Sequence, residues 1–118
     1  MRMPTVTYER WQVLRVPFPF TDRTASKNRP ALVLSDAAAF NTSSGHVVMA
    51  MITSAKNPSW PLDCPIENLA VAGLPAPSVV RAKFFTLDER LIRGVLGTLD
   101  TKDAIAIERN LRHVFGFF

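Results

Sequence analysis

The chain has 118 residues, 47% of them hydrophobic, and carries 14 basic against 10 acidic side chains for a net charge of +4. That length buries about two-thirds of the unfolded surface in one core, so a single domain over 1–118 is expected. The longest apolar runs, Ala31–Leu34 and Val47–Ile52, fall far short of the roughly 20 residues of a membrane span. With no basic-then-apolar signal at the N-terminus, the expectation is a soluble, cytoplasmic protein that makes no membrane contact.

Trp11 to Val16 sets Trp11, Val13 and Val16 against Gln12 and Arg15 and reads as a strand. Pro17-Phe18-Pro19-Phe20 is too apolar for solvent and too proline-rich for a helix or a central strand. It should end an edge strand and pack aromatics under the next loop. Arg23 and Lys27 lie in that loop, and Arg29 leaves it where Pro30 opens an apolar run. Three cations on a rigid base suggest an anion site, and the obvious anion is a phosphodiester. The charge distribution agrees: residues 1–30 hold six basic and two acidic side chains, while 31–118 balance at eight each. Such a local excess favours a polyanion or an acidic peptide as partner, or else is simply a soluble basic surface.

Ala31 to Ser35 reads as a strand buried on both faces. Asn41 to Gly45 is turn-like, and Val47 to Thr53 forms a third strand ending in polar Thr53-Ser54. Residues 55–65, with Pro58, Pro61 and Pro65, read as a long surface loop that carries Trp60, with a short edge strand near Cys64 to Glu67. The single cysteine, Cys64, has no partner for a disulfide and no CxxC or cysteine–histidine cluster, so neither a metal nor a cofactor is implied. Ser78 to Thr86 is strand-like, Asp88 to Arg93 forms a helical turn capped by Asp88, and Gly94 to Leu99 is a last short strand. The terminal helix starts with Thr101 as its cap and Asp103 in its first turn. Ala104, Ile107, Leu111, Val114 and Phe115 share the face that must cover a sheet. Five or six short strands and one terminal helix predict a mainly β fold, a small, strongly bent antiparallel barrel.

Val16–Asp22, Arg29–Ser35, Ile52-Thr53-Ser54, Ser78-Val79-Val80-Arg81 and Phe85-Thr86-Leu87-Asp88 resemble, in this order and spacing, the PemK/MazF family of toxin–antitoxin toxins. The likeness runs from residue 9 to about 115. It implies an SH3-like barrel with a C-terminal helix, homodimerisation, and a ribosome-independent endoribonuclease that cuts single-stranded messenger RNA and is silenced by a cognate antitoxin. Two positions of the family's catalytic motif carry over: the arginine before the proline is Arg29, and the threonine of the Ile-Thr-Ser strand end is Thr53. The PemK branch adds an arginine, matched by Arg81, and an acid two positions on, where this chain has Lys83. That branch also has a histidine in the first loop, and Asp22 to Asn28 contain none.

Metal-free cleavage of RNA uses the ribose 2′-hydroxyl as nucleophile and needs fixed cations around a phosphorane that gathers negative charge. A guanidinium stays charged and presents a planar fork to two oxygens, which suits Arg29 to that task and not to proton abstraction. The Thr53 hydroxyl can position the phosphate or the nucleophile, with Ser54 as helper. Each assignment has a plainer competitor. Arg29 could pair with Asp22 or Asp36, and Thr53 could only satisfy a strand end. Arg81 and Lys83 could bind phosphate, face solvent or meet the antitoxin. Trp60 could stack on a base, cap the barrel or join a dimer interface. His46 reads as a surface residue, and His113 as a cation placed favourably in the last helical turn. Two other functions fit the same barrel: a non-catalytic toxin that traps gyrase, as the related CcdB toxins do, and a degenerate toxin that keeps only antitoxin or DNA binding.

Overall fold

The computed structural model describes residues 7–18 and 27–117. Six strands form one antiparallel sheet: β1 (Gln12–Phe18), β2 (Lys27–Val33), β3 (His46–Ser54), β4 (Cys64–Pro65), β5 (Ser78–Asp88) and β6 (Gly94–Thr98). Their order across the sheet is β4-β5-β3-β2-β1-β6, and the sheet curls into a half-barrel. Two short helices, α1 (Thr42–Ser44) and α2 (Leu69–Ala72), lie in connections, and α3 (Thr101–Phe115) ends the chain. This is the bent, mainly β architecture that the strand and turn pattern predicts.

Both faces of the sheet are apolar. Val13, Leu32, Ala50, Ile52 and Val80 meet Ile107 of α3 and Leu74 on one side. Leu14, Val16, Ala31, Val33, Val47, Met49 and Leu87 pack together on the other, with the partly buried Tyr8 and Ile92 against them. The alternation within β1 explains the division, since Val13 and Leu14 point to opposite cores.

Strand β2 begins at Lys27, four residues before the Ala31 start expected from sequence, and runs through Pro30. The reason is directional. Leu34 N donates to Val48 O at 2.9 Å, so the even-numbered residues of β2 aim their N–H groups at β3. Pairing with β3 covers only Ala31–Val33, whereas pairing with β1 continues down to Lys27. The N–H that Pro30 lacks would have faced β3, where pairing ends at Ala31, so the strand runs on through its bonds to β1 alone.

Helix α3 is capped one residue earlier than expected. Asp100, not Thr101, has extended backbone and accepts from Asp103 N at 2.9 Å. Aspartate competes well with threonine for this position, and both stood at the right place. Asp103 itself is buried, and its carboxylate accepts from the backbone of Glu67 and Asn68. Asp88 caps its turn as expected, accepting from Arg90 N. Helix α2 had no sequence expectation. Asn68 caps it, and it lies so close to β6 that a Cβ on Gly97 would sit 2.3 Å from Val71 O. The turn before β3 is a single turn of π-helix (Ala37–Asn41) running into α1, stabilised by the buried Asn41 amide, which donates to Tyr8 O and Ser35 O.

Candidate active site

Ladder pairs between β2 and β3 fix which residues flank their open ends. Ala31 faces Met51, Leu32 faces Ala50 and Val33 faces Met49. In that register Arg29 stands opposite Thr53, two residues past the last pair and on the same sheet face as Ala31 and Met51. Beyond Ala31 the two strands part. A groove of about 390 Å³ opens there, lined by Phe18, Arg29, Pro30, Met51, Ile52, Thr53, Ser54 and Asn57. The two residues carried over from the family motif thus meet in one concavity, joined by Ser54.

Arg29 is exposed, and among the described residues no carboxylate pairs with it. Asp36, one expected competitor, is spent on its own turn and accepts from Ala39 N at 2.8 Å. Asp22, the other, lies outside the described residues, as does Arg23. Lys27 is exposed on the same strand and face as Arg29, opposite Phe18 of β1. Thr53 is half-buried, and its Oγ1 accepts from Asn57 Nδ2 at 2.6 Å. A turn brings Asn57 back over the strand end: Asn57 N donates to Ser54 O at 3.1 Å, and Lys56 N to Ser54 Oγ at 3.2 Å.

On the β5 side the register places Arg81 beside Met51. Its guanidinium is committed to the loop between β3 and β4. It donates to both carboxylate oxygens of Asp63, at 3.1 and 2.9 Å, and to Pro58 O at 2.9 Å. The fork is bidentate and both partners are largely buried. The hydrogen bonds from Arg81 hold the Asp63 carboxyl below its ordinary range despite the opposing effect of burial. Trp60 lies against this latch, 5.8 Å from the Arg81 guanidinium and 4.6 Å from Lys83 Nζ. A bulge brings Lys83 there: Ala50 pairs with Phe84 but Met51 with Arg81, leaving Ala82 and Lys83 extra.

Arg29, Thr53 and Ser54 are thus brought together, whereas Trp60, Arg81 and Lys83 form a second cluster on the flank of β5. Trp60 and Phe18 are each 42% exposed; Phe18 lines the groove, and Trp60 stands with Arg81 and Lys83. His46 is elsewhere, its Nδ1 2.9 Å from Ser44 O, and His113 lies in the last turn of α3. Cys64 is a half-buried free thiol, and burial pushes its pKa up. Sequence reasoning missed Phe18 and Asn57 as groove residues. Phe18 carried a signal, an aromatic next to proline at a strand end. Asn57 carried none beyond its place four residues after Thr53.

The sequence model of the PemK-like, MazF-like toxins of type II toxin–antitoxin systems matches residues 9–115. The chain belongs to this family. Its fold matches those of solved toxins at low identity. An endoribonuclease in complex with its cognate antitoxin from a mycobacterial species superposes with a TM-score of 0.73 at 18% identity, over 97% of this chain and 98% of that one. The toxin MazF-mt6 of Mycobacterium tuberculosis gives 0.72 at 21%, over 91% and 98%. A MazE–MazF structure from Deinococcus radiodurans gives 0.74 at 19%, over 96% and 100%. No curated protein sequence matches the chain. Among the described residues no helix is long and apolar enough to cross a membrane.

Proposed function

We propose that this PemK/MazF-like toxin is a metal-independent, sequence-specific endoribonuclease that cuts single-stranded messenger RNA, with Arg29 and Thr53 as its catalytic residues. The observation that carries the reading is the meeting of an exposed guanidinium and a strand-end hydroxyl across one open groove. In the reaction the ribose 2′-oxygen bonds to phosphorus and the bond to the 5′-oxygen breaks. The 2′-hydroxyl gives up its proton and the departing 5′-oxygen takes one up, leaving a 2′,3′-cyclic phosphate and a 5′-hydroxyl. Negative charge grows on the non-bridging oxygens in between. The Arg29 fork binds that charge, and the Thr53 hydroxyl donates to it. Removing one such preorganised donor costs about 10²–10³ in rate.

Around this centre Ser54 steadies the phosphate, and Lys27 with Arg23 draws in the backbone. Phe18 and Trp60 offer faces to the flanking bases, each stack contributing about 1–3 kcal/mol. Lys83 sits where it can meet a phosphate beside the Trp60 stack. Arg81 serves the site by holding the loop that carries Trp60. The whole of 1–118 acts as one toxin domain in the cytoplasm, as a homodimer. An acidic antitoxin segment that orders on binding covers the basic groove and excludes RNA. Through that antitoxin the complex can associate with DNA.

The test uses purified protein and an end-labelled unstructured RNA in EDTA. Wild type cuts, and Arg29→Ala abolishes cutting with an unchanged circular dichroism spectrum. Equal cleavage by the two proteins removes Arg29 from the mechanism. Growth arrest with intact transcripts and blocked supercoiling would assign the toxin to a gyrase-trapping class instead.

A further inference from the structure

A hydroxyl has one proton and two lone pairs, so what binds one of them directs the others. At Thr53 one lone pair is filled by an amide: Asn57 Nδ2 donates to Oγ1 at 2.6 Å. The O–H then rotates away from that donor and seeks an acceptor elsewhere. Thr53 and Asn57 both line the groove beside Arg29, where a phosphate oxygen would be that acceptor.

The loop does not need this side chain for its shape. Asn57 is already tied through its backbone N–H to Ser54 O, and Lys56 N bonds Ser54 Oγ. Farther along, Ala55 N donates to Pro77 O, and Arg81 grips Pro58 O and Asp63. With the backbone held at several points, the Asn57 amide is surplus to folding, yet it is spent on the Thr53 hydroxyl.

We propose that Asn57 is a positioning residue that fixes the Thr53 hydroxyl as a donor aimed into the groove. The proposal rests on the reading of this groove as the RNA-cleaving site. In the free hydroxyl the proton samples three rotamers. The amide removes the orientations that face it, so the donor is set before the phosphorane forms.

The test is a cycle of single-turnover cleavage rates for wild type, Asn57→Ala, Thr53→Val and the double variant. Asn57→Ala should lower the rate about 10-fold, with affinity for a non-cleavable 2′-deoxy oligonucleotide changed less than about 2-fold. In the Thr53→Val background the same substitution should do nothing, because no hydroxyl is left to orient. Asn57→Asp, which keeps the shape but can only accept, should turn the proton toward itself and lose at least as much. A purely structural asparagine predicts equal losses in both backgrounds and a lowered melting temperature. Additive losses, an undiminished Asn57→Ala rate, or an Asp variant as fast as wild type would each overturn the proposal. Wild type that leaves RNA intact overturns the functional reading itself, and the positioning role with it.

Discussion

Replacing Asp103 by alanine measures how firmly the terminal helix is tied to the segment that follows β4. Asp103 is only 3% exposed, and from the first turn of α3 its carboxylate accepts from Glu67 N at 3.1 Å and Asn68 N at 3.0 Å. Hydrogen bonds to a charged acceptor contribute about 1.5–3 kcal/mol each. Alanine strands both donors, but it also removes a buried charge and lets water approach the partly buried amides, so the net loss is about 2–4 kcal/mol. Unfolding entropy of about 2.1 cal/mol/K per residue across the 118-residue chain converts this to a melting temperature lowered by roughly 8–16 °C. Calorimetry reads the shift, and hydrogen exchange reads the two amides, which should lose their protection ahead of the core strands. RNA cleavage well below the transition should persist, because Asp103 belongs to the helix-covered side of the sheet and not to the groove. A shift under about 3 °C with both amides still protected would refute the reasoning.

Gly97→Ala should be more damaging than any surface change. Its Cβ would meet backbone atoms of Val71 and Ala72 at 2.3–2.7 Å, which cannot yield without moving α2, so a loss of about 3 kcal/mol or more is expected. A melting temperature equal to that of wild type would contradict it. Acid should release the Trp60 loop by way of Asp63. The folded carboxyl lies below its ordinary value, so the latch with Arg81 is fully present above about pH 4 and is lost as pH falls through the depressed value. In a Trp11→Phe background, Trp60 fluorescence should stay flat near neutrality and change only in acid. Asp63→Asn should remove that transition, and its persistence would exclude the latch as its cause.

The sheet, the terminal helix and the pairing of Arg29 with Thr53 were legible because each rests on periodicity or on a motif with a fixed strand position. The boundaries that failed depend on direction and competition. Pro30 reads as a strand breaker until it is known which neighbour its missing N–H would have faced, and Asp100 outcompetes Thr101 for a cap that either could fill. The bulge at Ala82 and Lys83 has no glycine to announce it, although it decides that Lys83 meets Trp60. Helix α2 is four residues long and owes its place to two glycines that allow close backbone approach, a fact of packing with no periodic trace. Asn57 was invisible for a similar reason, since its partner is chosen by a turn.

Pro30 does more for the groove than hold the residue before it. Were position 30 any other residue, the alternation that sends Leu34 N to Val48 O would send its N–H to Ile52 O and extend the ladder by one bond. Proline withholds that donor, and pairing ends at Ala31 with Met51. The strands separate there, and the next facing pair on the sheet face of Ala31 and Met51 is Arg29 and Thr53. Because β2 stays paired with β1 down to Lys27, Arg29 is presented from a strand fixed on one side and open on the other. One ring thus ends a ladder, opens a cleft and leaves a guanidinium on a stiff edge. A charged side chain that must meet a transition state without first reorganising needs that setting.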